Sequence, residues 1–176
     1  MPVEFISAQD MEAPAAGQLE LEDIYQLVGS HADRLGIDKD TAFNNAMKFA
    51  EIVGELENDG KLEGGNRPQK GKQASSAKGL YQFLDGSVGP AKNRLGRHMD
   101  VSHIPDNPND MTWNQQTLLF LADVLEKKGS DKYMRGVLEN ANDTEAVSKA
   151  YYVLHHTKPD KKTKDRTERK LNEPLY

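Results

Sequence analysis

Apolar residues recur every three or four positions along much of this 176-residue chain, the spacing that gathers them on one face of an α-helix. The first such segment begins at Leu19 and stops at Gly36, and the second runs from about Asp40 to Glu57. A convincing alternation of apolar and polar residues, which is the pattern of a β-strand, is not found in the chain. The fold is therefore predicted to be mainly α.

A third strong helix signal begins at Thr112, because a threonine with Gln115 three residues later is typical of a capping box. This helix is predicted to be amphipathic and to end near Leu125, and two further helices are predicted near residues 132–140 and 144–155. The residues predicted to face inward on the helix that starts at Thr112 are Trp113, Leu118, Leu119, Leu121 and Val124.

The middle of the chain carries weaker helical signals and more glycine and proline. Residues 61–74 lack an apolar period and are predicted to form a loop of unusual length, which suggests a functional segment. Residues 75–84 are predicted to form a short helix capped by a serine. A turn is predicted at residues 85–90, and another short helix at 91–99.

The length of the chain is enough for one domain with a substantial core. We predict an N-terminal arm at residues 1–18, one helical domain at 19–160 and a basic tail at 161–176. No apolar run approaches the roughly 18 residues that span a bilayer, and the start of the chain lacks the basic and apolar blocks of a secretory signal. We therefore expect no membrane span and no export by such a signal.

Composition excludes several kinds of chemistry. Cysteine is absent, so disulfides, cysteine-based zinc sites and thiol nucleophiles cannot occur. The formal net charge is -5, with acidic residues dominating the early part of the chain and basic residues gathered near its end. Because those lysines and arginines are interleaved with acidic residues, we expect no nucleic-acid partner.

The second predicted helix carries a glutamate on its apolar side. On a helical wheel of about 100° per residue, Glu57 falls within the apolar face, whereas Glu51 and Glu55 point the opposite way. Glu57 either reaches water at the helix end or is held in a partly apolar cleft, where desolvation raises the pKa of a carboxyl, as a general acid requires. The apolar face consists of Ala42, Ala46, Phe49, Ala50, Val53 and Leu56.

The segment "SSAKGLYQF" at residues 75–83, preceded by a helix that ends in a glutamate, resembles a motif of the lysozyme-like lytic transglycosylases and goose-type lysozymes. The similarity is greatest to members carried in phage virions. The matching residues are Ser76, Gly79, Tyr81, Gln82 and Phe83. Further on, "KAYYVLHHTKPD" stands where these enzymes carry an Ala-Tyr-Asn-Ala-Gly-like segment. The resemblance extends over about residues 40–166.

The resemblance implies a goose-type, lysozyme-like helical fold and cleavage of the MurNAc–GlcNAc bond of peptidoglycan without a cofactor. It implies Glu57 as the acid and then the base, with Glu63 in "EGGN" as the competing candidate. The substrate's own N-acetyl group would assist bond cleavage. The 6-hydroxyl of the MurNAc residue would then attack the anomeric carbon and leave a 1,6-anhydro end. Substrate-binding roles are implied for Ser76, Gly79, Tyr81, Gln82, Phe83, Tyr151, His155 and His156; Tyr81 and Phe83 could equally fill the core.

Two other functions stay open. A hydrolytic lysozyme would need a second carboxylate to position water, and Asp59, Asp85 and Asp110 are the candidates. A catalytically inactive structural or adaptor protein of the virion is the other possibility. It is supported by "ENDG" where Glu-Ser-Gly-Gly is expected, and by two histidines in place of the usual Tyr-Asn pair.

The resemblance also implies partners and a location: the peptidoglycan glycan strand, and other tail or internal proteins of a virion. Such a protein would be assembled in the host cytoplasm and would act in the periplasm or cell wall. A metal site built from His98, His103, His155 and His156 is not expected, since adjacent histidines point in different directions on a helix.

Overall fold

The structure is a computed structural model that describes residues 16–58, 77–155 and Arg169, with the backbone alone at 16–19 and at Asp85. The long loop predicted at 61–74 lies outside the described residues, as do most of the predicted arm and tail. Four candidate site residues also lie outside them: Asp59, Glu63, Ser76 and His156. What was predicted for these residues stays a prediction.

The described residues form a mainly α fold, as predicted. The helices are α1 (Ala16–Leu35), α2 (Lys39–Asn58), α3 (Asp85–Leu95), α4 (Trp113–Glu126), α5 (Asp131–Glu139) and α6 (Thr144–Ala150). A short 3-10 turn at Pro108–Asp110 precedes α4, and a π-helical turn at Tyr151–His155 continues α6. The β structure in the described part of the chain is limited to an isolated antiparallel bridge between Lys78 and Phe83. None of the described helices has both the length and the apolar content that crossing a membrane needs.

Helix α4 lies at the centre of the part of the chain that the structure describes. Every residue from Gln115 to Leu125 is buried, and α1, α3 and the π-helical turn pack against α4. The predicted capping box is present: Thr112 Oγ1 accepts from the Gln115 N–H at 3.2 Å, and Gln115 Oε1 accepts from the Thr112 N–H at 3.0 Å. The predicted amphipathic character is wrong, because neighbours cover α4 on all sides, and Trp113, predicted to face inward, is exposed in its first turn.

Helix α2 buries the apolar face that its sequence predicts. All members of that face are buried, and the face packs against α1, α4 and α5. Glu51 and Glu55 are exposed on the opposite side, also as predicted, whereas Glu57 is largely covered. The last turn of α2 therefore carries a carboxyl group into the packed part of the molecule.

The prediction of a short helix at 75–84 is wrong for residues 77–84, the part of this segment that the structure describes. Lys78 and Phe83 pair through two N–H to carbonyl bonds of 2.9 Å, so the chain reverses within this segment, the Lys78–Phe83 loop. Gly79 and Gln82 adopt positive φ angles of 78° and 51°, which a helix excludes. The loop form buries Leu80 completely, together with two aromatic rings.

The turn predicted at 85–90 is also wrong, because these residues form the first half of α3. Val88, Ala91 and Leu95 recur at helical spacing and are buried, and α3 packs on α4. Pro90 lies inside this helix, where it lacks the N–H of an ordinary residue. Burial of the apolar side of α3 outweighs the local preference of glycine and proline for a turn.

Candidate functional site

The carboxyl group of Glu57 lies between α2 and the π-helical turn. The side chain of Glu57 is only 14% exposed, although it comes from the last turn of its helix. The Tyr151 hydroxyl donates a hydrogen bond to Glu57 Oε1, and Nε2 of His155 lies 3.8 Å from the same oxygen. The aromatic groups at both ends of the π-helical turn thus face the carboxyl of Glu57.

The π-helical turn explains why both groups reach Glu57. Helix α6 starts at an N-cap, Asp143, whose carboxylate accepts from two backbone N–H groups, and it widens to π geometry at Tyr151. The rings of Tyr151 and His155 lie 6.0 Å apart, inclined by 32°. Single π-helical turns inside helices are found frequently at functional sites. Here the turn places two polar aromatic side chains beside one carboxyl.

The Lys78–Phe83 loop is held from three directions. From α2, Asn58 Nδ2 donates to the Gly79 carbonyl at 3.2 Å. From α4, Gln116 Oε1 accepts from the Leu80 N–H at 2.7 Å. From the π-helical turn, His155 Nε2 contacts the Tyr81 carbonyl at 2.8 Å. The loop is therefore fixed beside the end of α2 that carries Glu57.

Gly79 has a backbone reason to be glycine. Its φ of 78° lies in the left-handed region, and a Cβ there would lie 2.4 Å from Gln116 Oε1 and 2.8 Å from Pro108 Cβ. The groups that approach Gly79 so closely belong to the protein itself. A contact of Gly79 with a sugar stays a prediction.

Tyr81 and Phe83 fill the core, one of the two alternatives that the sequence left open. Their exposures are 0% and 2%, so neither ring presents a face on which a sugar could stack. The Tyr81 ring stacks on Phe120 with centroids 4.3 Å apart, and its hydroxyl pairs with Thr117 Oγ1 at 2.8 Å. Burial raises the pKa of the Tyr81 hydroxyl.

Gln82 is half-buried at the tip of the loop and adopts a left-handed φ of 51°. Its Nε2 donates to the carbonyl of Gly79 at 2.8 Å, so the side chain folds back on its own loop. A non-glycine residue with such a φ is uncommon and costs free energy unless its surroundings hold it there. Its role in binding sugar substituents stays a prediction.

His155 is almost completely enclosed. Its side chain is 9% exposed, and its ring meets Phe120 edge to face at 5.2 Å and Phe83 at 6.1 Å. Burial lowers the pKa of His155 below its usual 6.5, against the opposing effect of the Glu57 charge. The predicted direct contact of His155 with substrate would need this ring to become exposed.

The structure thus brings seven of the candidate residues into one cluster: Glu57, Gly79, Tyr81, Gln82, Phe83, Tyr151 and His155. Among the candidates for a second carboxylate, Asp110 is exposed in the 3-10 turn. Sequence reasoning missed Asn58, Gln116 and Thr117, which hold the loop. Two adjacent polar residues within the apolar α4 could have indicated Gln116 and Thr117, since buried polar groups need partners.

The histidines enter different local arrangements. His98 contacts Glu126, which also contacts His31, whereas His155 lies against Tyr81 and Glu57. Within residues 16–58 and 77–155, no group of three or more His, Cys, Asp or Glu is arranged to hold a metal ion.

No protein family, curated protein or solved structure that was compared with the chain matches it. The class of protein that the fold defines is a mainly helical one. The chemistry that this protein can perform is therefore inferred from Glu57 and the groups around it.

Proposed function

We propose that this protein is a peptidoglycan lytic transglycosylase of a phage virion, with a lysozyme-like fold and Glu57 as its acid and base. The observation that carries the proposal is the position of Glu57. It lies in the last turn of α2, is largely buried, accepts a hydrogen bond from Tyr151, and lies next to the Lys78–Phe83 loop. That loop is the described part of the segment that resembles the sugar-binding motif of these enzymes.

These surroundings suit an acid that must protonate a glycosidic oxygen. A catalytic carboxyl has to be held in one direction and partly shielded from water, so that its proton goes to the leaving group. The Tyr151 hydroxyl fixes one oxygen of Glu57, and the Glu57 side chain is only 14% exposed, beside the buried ring of His155. Glu51 and Glu55 on the exposed face of the same helix have no such shielding.

The proposed reaction uses one carboxyl twice. Protonated Glu57 gives its proton to the oxygen between MurNAc and GlcNAc, while the substrate's N-acetyl oxygen bonds to the anomeric carbon and the C–O bond breaks. The Glu57 carboxylate then takes the proton of the MurNAc 6-hydroxyl. That hydroxyl oxygen displaces the N-acetyl oxygen from the anomeric carbon, which gives a 1,6-anhydro end. No water is consumed, and Glu57 ends protonated, ready for the next cut.

The proposal extends to the partners and the location that the resemblance implies. The glycan strand would lie along the Lys78–Phe83 loop, with Gln82 and Ser76 as candidates for hydrogen bonds to sugar substituents. Tail or internal virion proteins would carry the enzyme. It would be assembled in the host cytoplasm and would open the wall locally, in the periplasm or cell wall, during genome delivery.

Mass spectrometry of purified peptidoglycan after digestion tests this function. The proposal expects soluble fragments that end in 1,6-anhydro-MurNAc. Fragments with reducing MurNAc ends would instead identify a hydrolytic lysozyme. Absence of any released fragment would favour a catalytically inactive structural or adaptor protein. A digestion with a known lysozyme alongside shows that the substrate can be cut.

A further inference from the structure

We propose that His155 is a positioning residue whose neutral ring holds the Lys78–Phe83 loop beside Glu57 and leaves Glu57 able to carry a proton. The catalytic part of this inference rests on the proposed function. The position of the hydrogen on the His155 ring does not depend on the proposed function, and that position can be measured separately. The inference gives His155 a different role from the substrate contact that the sequence predicts.

The contact with Tyr81 determines where the ring of His155 carries its hydrogen. A backbone carbonyl can only accept a hydrogen bond, so at 2.8 Å the Nε2 of His155 is the donor and Nδ1 of the neutral ring has no hydrogen. Glu57 Oε1 lies 3.8 Å from the same Nε2, beyond hydrogen-bond distance. His155 therefore donates its N–H to the loop and lies next to Glu57 without a direct hydrogen bond to it.

The surroundings of His155 favour the neutral ring. Phe120 from α4 and Phe83 from the loop both meet the ring with their planes nearly perpendicular to it. The burial that these contacts produce is the largest influence and disfavours the imidazolium. Among the described residues, Glu57 on α2 and Asp123 on α4 favour protonation of His155, and Lys127 on α4 opposes it.

The charged groups on α4 are themselves paired. Asp123 Oδ1 accepts from Arg94 at 2.9 Å, and Asp123 Oδ2 lies 3.0 Å from Lys127 Nζ. Lys127 also donates a hydrogen bond to the carbonyl of Leu154, which precedes His155 in the chain. The positive charges of Arg94 and Lys127 thus largely offset the effect of the Asp123 carboxylate on the His155 ring. Among the residues that the structure describes, Glu57 is the main group that favours a proton on His155.

Neutrality of His155 matters for the proposed acid. A cation within about 4–6 Å favours the ionised form of a carboxyl and lowers its pKa by about one to three units. A permanently charged His155 would hold Glu57 as a carboxylate, which could not protonate a leaving group. The neutral ring avoids this, and its bond to the Tyr81 carbonyl keeps the loop at a fixed distance from Glu57.

Two variants of the full chain separate positioning from packing. In His155→Gln a neutral N–H donor remains but the ring is lost, whereas in His155→Phe the ring remains but the donor is lost. Positioning predicts that His155→Gln keeps the rate of fragment release within about threefold of wild type, and that His155→Phe loses about tenfold or more, consistent with an anchoring hydrogen bond to the loop. If the ring only fills space, the order is reversed, which would overturn the inference. Thermal unfolding of both variants checks that each is folded.

Nitrogen NMR of the His155 ring provides the readout that does not depend on activity. The inference requires a neutral ring with hydrogen on Nε2 between pH 6.5 and 8, a range above the usual pKa of 6.5. An imidazolium, or hydrogen on Nδ1, would overturn it. If wild type releases no fragments from peptidoglycan, the proposed function fails, and the NMR result then decides the inference by itself.

Discussion

The Tyr151 hydroxyl donates a hydrogen bond to Oε1 of Glu57 and so joins the π-helical turn to the last turn of α2, across 94 residues of sequence. Both side chains are largely covered by the rest of the molecule. A typical hydrogen bond contributes roughly 0.5–1.5 kcal/mol to stability, and leaving a buried partner unpaired costs about 1–3 kcal/mol. This contact therefore stabilises the packing of the π-helical turn on α2 and directs the carboxyl of Glu57.

Replacement of Tyr151 by phenylalanine tests this contact, because it removes the hydroxyl and keeps the ring. We expect Tyr151→Phe to lower the free energy of unfolding by about 1–3 kcal/mol, measured by urea denaturation. Tyr133→Phe, at a half-buried position on α5, is the matched control and should change it by less than about 0.5 kcal/mol. Equal effects of the two substitutions would show that the hydroxyl of Tyr151 contributes nothing specific.

The close approach of Gln116 and Pro108 to Gly79 gives a second prediction. Gly79→Ala places a Cβ 2.4 Å from Gln116 Oε1 at a positive φ, so it adds crowding to backbone strain. Gly36→Ala is the matched control, since Gly36 has a similar φ of 72° but nothing within 4 Å of the added Cβ. We expect Gly36→Ala to cost about 1–2 kcal/mol from backbone strain, and Gly79→Ala to cost about 1–3 kcal/mol more from overpacking.

Urea denaturation of the two glycine variants measures this difference. Equal losses of stability would mean that Gln116 and Pro108 move away without cost, and that the loop is not clamped at Gly79. A larger loss for Gly79→Ala would support a rigid loop, which the positioning of Glu57 requires.

A separate charged cluster connects α1, the turn after α3 and the end of α4. Glu126 Oε1 lies 2.7 Å from His31 Nε2 and 2.6 Å from His98 Nε2. Arg34 Nη2 lies 2.6 Å from His31 Nδ1, and because an arginine can only donate, Nδ1 is the acceptor of this hydrogen bond. The hydrogen of the neutral His31 ring is therefore on Nε2, which donates to Glu126. Burial would raise the pKa of Glu126, but its hydrogen bonds and electrostatic interactions with His31 and His98 hold that pKa below its usual 4.5.

This cluster makes stability depend on pH in a defined direction. Since the pKa of Glu126 is lower in the folded state, its contribution is complete above about pH 4.5 and is lost as the pH falls through the lower folded value. We expect the free energy of unfolding of wild type to fall more steeply below pH 4.5 than that of Glu126→Gln. Glu139→Gln, at an exposed position on α5, should keep the wild-type slope. Parallel curves for wild type and Glu126→Gln would contradict the linkage.

Part of this structure could be predicted because its signal is local. The face of α2 repeats with the helical period, so the burial of Phe49 and Val53 and the inward position of Glu57 follow from residues within a few turns of one another. The capping box at Thr112 needs only residues three apart. Burial of a helix face and capping of a helix end are both encoded in short stretches of sequence.

The shape of the Lys78–Phe83 loop could not be predicted in the same way. Its backbone is held by Gln116, which is 36 residues from Leu80, and by His155, which is 74 residues from Tyr81. Contacts of this kind override the helical preference of a short segment and leave no periodic trace in the sequence. Helix α3 continues through Pro90 for the same reason. Its apolar side is buried by α4, which is distant in sequence and is not visible in the local pattern.

The residues that cluster around Glu57 were easier to predict than the contacts that each of them makes. An aromatic residue beside a predicted binding motif can face the ligand or the core, and only the packing of Phe120 shows that Tyr81 faces inward. His155 was predicted to contact substrate, but the rings around it enclose it and direct its N–H to the loop. Residue type indicates the chemistry that is available, whereas the role of a residue depends on its neighbours.

The central claim is that Glu57 is the proton donor for cleavage of peptidoglycan. Its most direct test is the rate of fragment release from purified peptidoglycan by wild type, Glu57→Gln, Glu63→Gln and the exposed-face control Glu51→Gln. Because general acid–base catalysis contributes about 10²–10⁴-fold, we expect Glu57→Gln to lose a hundredfold or more, and Glu51→Gln and Glu63→Gln to stay close to wild type. Full activity of Glu57→Gln, together with loss in Glu63→Gln, would contradict the claim.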